Sequence, residues 1–236
     1  MDTLIQVVLA IHVAAGFTSL ALFFIPAFAK KGGKLHSTVG RWYVFGMWMV
    51  VASALLLCCA RLYQGNFVQA LFLGFLSMLT SGPLYYGIAV LKNKRGPSVK
   101  MQRTYLGFQL ALAASGTYLT GAGLNWWGPG GHSLLTIFGI LGMAITIPGL
   151  MDRFRGRQKE YNWLEEHLSG LLITAVAAFT AFFAFGGRRI FGTLFAGNLQ
   201  IVAWVAPTIL GVAFIRYYKW KLRGKKKATV SGASTS

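Results

Sequence analysis

Four histidines are the residues of this chain whose chemistry and placement point to a function. His12 and His132 fall near one end of their hydrophobic segments. His36 and His167 fall near the opposite end of theirs. Neutral imidazole is a good ligand for haem iron, and iron held by two histidines suits electron transfer. We therefore predict an inner haem b on His36 and His167. On the same reasoning, His12 and His132 are predicted to hold an outer haem.

Glycines flank three of these histidines on the same helical face, at i+3 or i+4. The pairs are His12 with Gly16, His36 with Gly40, and His167 with Gly170. Because haem is flat and bulky, its ligand helices need small neighbours, so we predict that these glycines line the cofactor. The alternative is that they are the small-residue contacts common between transmembrane helices. His132, which follows two glycines, could equally be a solvated loop residue.

The composition is that of a polytopic membrane protein. Of 236 residues, 55% are hydrophobic and only 12% charged, whereas a soluble domain carries about 25% charged residues. This excludes a soluble enzyme, a disordered chain and a disulfide scaffold. The net charge of +18 does not indicate nucleic acid, because the basic residues lie between hydrophobic runs, where membrane topology explains them.

We predict an all-α bundle of seven transmembrane helices that occupies residues 1–222 as a single domain. A disordered basic tail, predicted to be cytoplasmic, follows over 223–236. Hydrophobic runs of the roughly 20 residues that cross a bilayer, separated by Gly, Pro and Asn, give the helices. The predicted ranges are 4–29, 38–63, 67–91, 104–127, 133–151, 165–186 and 198–218.

The basic residues predict the orientation of this bundle. Of the 23 Lys and Arg residues, 20 fall in the first, third and fifth loops and the C-terminal tail, and three fall on the other side. The positive-inside rule therefore places the N-terminus outside and the C-terminus in the cytoplasm. His36 and His167 are then on the cytoplasmic side. The basic loops would meet anionic lipid headgroups, while Trp126 and Trp127 would close helix four in the interfacial aromatic belt.

The membrane interior lacks the residues of several other functions. All five carboxylates lie at or outside the predicted helix ends. This argues against a proton- or cation-coupled transporter, because such proteins usually couple transport through buried acids. Helix seven has no lysine before Lys219 for a Schiff base, and no phosphate-loop, zinc-protease or serine-hydrolase pattern occurs.

The first basic loop carries a motif that resembles a known family. Residues 31–43 read K-G-x3-H-x3-G-R-x-Y, with His12 upstream and Trp163-x3-His167 downstream. Over residues 5–185 the chain is similar to an uncharacterised bacterial family of multi-pass membrane proteins, a domain of unknown function. The resemblance implies a bacterial cytoplasmic (inner) membrane protein and supplies no activity. The four histidines also resemble, in architecture only, the cytochrome b561 group, whose six helices hold two haems.

Three functions remain open from the sequence. The first is a transmembrane b-type haem electron carrier with a quinone or other redox partner. In that case the glycine-rich loop at Lys31–Lys34 could bind a propionate, a quinone headgroup or a lipid phosphate. The second is a permease for a small solute, whose helices would be broken at Pro83, Pro148 and Pro207. The third is an accessory subunit in which the histidines only pack. Arg41 and Tyr43 are predicted to be interface anchors.

Overall fold

The computed structural model describes residues 2–127, 131–157, 160–183 and 199–233, and these residues form seven α-helices. The helices are α1 (Asp2–Phe28), α2 (Lys34–Tyr63), α3 (Phe67–Lys92), α4 (Val99–Gly123), α5 (Ser133–Phe154), α6 (Trp163–Ala181) and α7 (Leu199–Ala233). The fold is all-α, as predicted. Helices α1, α2, α3 and α5 are each long and apolar enough to cross a bilayer. The chain is thus an integral membrane protein with several apolar helices.

The helix ends differ from the prediction where polar residues continue or cap a helix. Helix α2 begins four residues before the predicted position 38, so His36 lies in its first turn. Helix α4 begins at Val99, because the Ser98 hydroxyl accepts from the Met101 N–H. It ends at Gly123, so the predicted helical position of Trp126 and Trp127 is wrong. Hydropathy marks the segment that suits lipid, whereas capping and turn hydrogen bonds, such as Trp126 N–H to the Gly121 oxygen, determine where the helix ends.

The last two helices also depart from the predicted ranges. Asn162 caps α6 by accepting from the N–H groups of Leu164 and Glu165, so α6 begins at Trp163 and not at 165. The predicted ends at 186 and 198 lie outside the described residues. Helix α7 continues past 218 to Ala233, into most of the predicted disordered tail, because Lys and Arg have high helix propensity. Its 35 residues span about 52 Å.

Helix α3 is the centre of the bundle. It packs against α2, α4 and α6, while α1 closes a four-helix ring by packing on α2 and α6. Helix α5 packs mainly on α4, and α7 packs on α6. One buried core, which includes Phe72, Phe75 and Phe138, joins α3, α4, α5 and α6. A second core, of Tyr43, Met47, Leu84 and Ala175, fills the four-helix ring.

The antiparallel pair α1 and α2 is held along a stripe that repeats about every seven residues. At one end of the stripe, His12 Nδ1 lies 2.9 Å from Ser53 Oγ. Ser19 is fully buried against Gly46 in the middle, and Pro26 meets Gly40 at the other end. Small residues thus let the two helix backbones approach closely.

Helices α3 and α6 cross in backbone contact at Gly87 and Gly170. A Cβ atom added to Gly170 would lie 2.6 Å from the Pro83 carbonyl oxygen and 2.7 Å from the Gly87 Cα. Because these neighbours are backbone atoms, they cannot move aside without separating the helices. A similar glycine pair, Gly116 and Gly139, joins α4 to α5.

We expect Gly170→Ala to destabilise the protein by about 1–3 kcal/mol, the usual cost of overpacking a close contact. Gly16→Ala is the matched control, since a Cβ there meets nothing within 4 Å and alanine favours a helix. Thermal unfolding in detergent measures both. Equal melting temperatures for Gly170→Ala and the wild type would contradict the close α3–α6 crossing.

Candidate functional site

The His36 and His167 rings lie beside each other at one end of the four-helix ring. Their centroids are 6.5 Å apart and their planes are inclined by 67°. One ring projects from the first turn of α2 and the other from the second turn of α6. Both side chains are half-buried. The two histidines of the predicted inner pair are therefore neighbours, although 130 residues of sequence separate them.

Each ring is oriented by a backbone carbonyl at its Nδ1 atom. His36 Nδ1 lies 3.0 Å from the Pro26 oxygen, and His167 Nδ1 lies 2.6 Å from the Gly87 oxygen. A carbonyl oxygen can only accept, so Nδ1 carries the proton in both rings. In the neutral ring, Nε2 then keeps its lone pair. This is the tautomer in which metal-binding histidines are commonly held.

The carbonyl that orients His36 is available because α1 ends nearby. The last carbonyls of a helix have no N–H partner within it, and Lys31 Nζ donates to two of them, on Pro26 at 2.8 Å and Ala27 at 2.5 Å. Burial lowers the pKa of the Lys31 ammonium. Gly32, with φ of 77°, makes the turn that brings Lys31 back to the helix end.

Tyr43 completes the motif from within the core. Its side chain is only 2% exposed and packs with Phe23 of α1 and Leu84 of α3. Its hydroxyl donates to the Leu171 oxygen of α6 at 3.4 Å. The predicted role of Tyr43 as an interface anchor is therefore wrong, whereas Arg41 is exposed. The seven-residue spacing from His36, two helical turns on one face, is the signal that could have placed Tyr43 inside.

The three flanking glycines have different surroundings. Gly170 lies against the α3 backbone, and an added Cβ at Gly40 would touch only the Pro26 Cβ, at 4.0 Å. Gly16 faces open space. The helix-packing alternative thus describes Gly170, whose surroundings leave no room for a cofactor. The backbone contact at Gly170 contributes to the site in another way, because it brings the Gly87 carbonyl within hydrogen-bonding distance of His167.

His12 and His132 are placed on helices that pack in different parts of the bundle. His12 Nδ1 lies 2.9 Å from Ser53 Oγ, which itself donates to the Met49 oxygen at 2.6 Å. His132 is exposed and precedes α5. Within the described residues, α1 packs on α2 and α6, whereas α5 packs on α4 and α3. The structure therefore brings His36 and His167 together, whereas it places His12 against Ser53 and His132 at the exposed start of α5.

A group of tyrosines beside the inner pair was missed by the sequence reasoning. Tyr86 and Tyr105 stack with centroids 4.1 Å apart, and Tyr161 donates to the Asn93 oxygen at 2.8 Å. Burial, and secondarily the Glu166 carboxylate, raises the pKa of Tyr161. Their position in the sequence could have indicated them, since Tyr86 directly precedes Gly87 and Glu166 directly precedes His167.

The fold and this site define a class: an all-α integral membrane protein with a histidine pair between two of its helices. Among the described residues, no group of three or more His, Cys, Asp or Glu side chains is placed to hold a metal ion. No family model, curated protein or solved structure matches the chain.

We expect both neutral rings to carry their proton on Nδ1, because each Nδ1 faces a carbonyl acceptor. Nitrogen NMR of ¹⁵N-histidine-labelled protein, at a pH above the imidazole titration, distinguishes the two tautomers. Assignment by His36→Gln and His167→Gln removes one signal set at a time, and exposed His132 is the internal reference. Nε2-protonated rings at both positions would contradict the carbonyl contacts.

Proposed function

We propose that the protein is a b-type haem electron carrier in which His36 and His167 would hold the iron of one haem b. The observation that carries the proposal is the 6.5 Å separation of the ring centroids. Two metal–nitrogen bonds of about 2 Å and two ring radii of about 1.1 Å would put the centroids of opposed imidazoles about 6.2 Å apart. The observed separation is close to this value.

The protonation pattern supports the same proposal. Both rings have their Nδ1 atoms on carbonyls, so both Nε2 lone pairs remain for iron. Haem supplies one-electron chemistry, and two histidine ligands leave no open position for oxygen. The chain's part is to hold the rings, keep them neutral and exclude water with the Tyr43 core. Lys30 and Lys34 are exposed cations beside this end of the bundle, suited to haem propionates.

We limit the cofactor proposal to one haem. Ring proximity is observed for His36 and His167, whereas His12 already bonds Ser53 and His132 is exposed. A single haem near one face suits exchange between a membrane quinone and a redox partner on that side. Transfer across the whole membrane, which the sequence predicted, would need a second site.

Purified protein from a host with full haem supply should show a low-spin Soret band that shifts on reduction. His36→Ala and His167→Ala should each abolish the low-spin spectrum, because each removes an axial ligand, whereas His132→Ala should retain it. His167→Met should restore binding with a raised midpoint potential, as methionine ligation does. Spectra and potentiometry measure these outcomes. A colourless wild type would refute the haem and leave the permease and accessory-subunit alternatives.

We further propose seven spans in a bacterial cytoplasmic membrane, with the N-terminus outside and the C-terminus inside. The charge asymmetry supports this orientation, with the basic loops on anionic headgroups. The family suggested by the residue 31–43 motif is likewise our proposal.

Topology reporters fused at Asn66, Gly130 and Gly187 should report outside. Fusions after Lys94, Arg157 and Ser236 should report the cytoplasm, because the positive loops remain on that side. A C-terminus found outside would exclude seven spans with this orientation.

A further inference from the structure

A groove of about 570 Å³ runs over α3 between α2 and α4. Both flanking helices pack on α3, so α3 forms the floor. The hollow exists because its lining includes four small residues, Ala70, Gly74, Ala111 and Ala114. Ala111 and Ala114 are exposed on α4, so the groove opens to the side, where lipid lies.

Two polar side chains of the groove lining are already hydrogen-bonded. Cys58 Sγ donates to the Ala70 oxygen at 3.2 Å, and Ser115 Oγ donates to the Leu112 oxygen at 3.1 Å. Most of the other lining residues are aliphatic or aromatic, so an occupant of the groove meets a mainly apolar surface, which favours an apolar chain without donors or acceptors of its own.

The length of the groove matches one leaflet. Its lining runs from Leu55 to Leu62 on α2 and from Ala111 to Leu119 on α4. At 1.5 Å per residue these stretches are about 10 to 12 Å long. That is somewhat less than half of the roughly 30 Å hydrocarbon core. The Leu62 end lies at the terminus of α2, where a headgroup would be.

The rim at this end carries groups that suit a phospholipid headgroup. Arg61 lies one turn after Cys58 and is held by its Nη1 atom, which donates to Gln64 Oε1 at 2.7 Å. Across the groove, Trp127 Nε1 donates to the Tyr118 oxygen at 3.2 Å. Arginine provides charge complementarity to phosphate, and Tyr and Trp favour the headgroup level.

We propose that this groove binds one phospholipid of the leaflet on the Arg61 side. One acyl chain occupies the groove between α2 and α4, and the phosphate binds Arg61. The charge of Arg61 at the end of an apolar groove one leaflet deep selects this occupant over a helix of a second copy. The site is independent of the histidine pair and of any haem.

Native mass spectrometry of the full chain, purified in mild detergent, tests the proposal. The wild type should retain one phospholipid mass. Ala114→Phe, which fills the groove from α4, should lower the retained fraction about tenfold. Ala14→Phe is the matched control, an exposed alanine on α1, and should retain the lipid. Ala111→Phe serves as the second filling variant if Ala114→Phe does not fold.

Arg61→Gln should weaken retention of added phospholipid with little change in the melting temperature, because it removes the phosphate contact and only an exposed hydrogen bond to Gln64. A wild type without phospholipid, or equal retention in Ala114→Phe and Ala14→Phe, would overturn the proposal. So would a wild-type dimer that Ala114→Phe converts to monomer, since a second copy would then fill the groove. The Soret band should be unaffected in every one of these variants. Failure of the lipid proposal is therefore distinguishable from failure of the haem proposal.

Discussion

The backbone contact between Gly87 of α3 and Gly170 of α6 is the constraint on which the histidine site depends. Because neither residue has a side chain, the helices approach until the Gly87 carbonyl reaches His167 Nδ1, at 2.6 Å. That bond fixes the ring's tautomer and direction. The same crossing positions α6 so that Leu171 accepts from Tyr43 of α2. The site therefore follows from the way glycines pack the bundle.

The spacing of the residue 31–43 motif has a physical explanation in this arrangement. Lys31 covers the end of α1, Gly32 makes the turn, and His36 uses the Pro26 carbonyl that the helix end leaves open. Gly40 and Tyr43 then follow on the same face of α2, against Pro26 and within the core. One short segment thus joins α1, α2 and α6 and orients one of the two rings.

The all-α fold and the pairing of His36 with His167 could be predicted, because hydropathy and loop charge determine helix number and membrane level. Membrane level alone does not determine which side chains are adjacent, so the same reasoning that paired His36 with His167 also paired His12 with His132, and that second pairing stays a prediction. The role of Gly170 was mistaken for a related reason. Glycine beside a histidine has the same sequence signature whether the space is filled by a cofactor or by another backbone. Only the position of α3 decides between them.

The hydrogen-bond partners of the two histidine rings differ from those in a buried charged pair, and this difference affects whether the rings suit a metal or a proton. Their Nδ1 partners are neutral carbonyls, so the partners do not compensate a positive charge on either ring, and two imidazolium ions 6.5 Å apart would repel each other. When a ring is neutral, the proton on Nδ1 leaves the lone pair on Nε2. A metal ion in the proposed site would interact with both Nε2 lone pairs, whereas a proton on one ring would oppose a proton on the other. The neutral partners of the two rings therefore favour the proposed metal site over a site that stores protons.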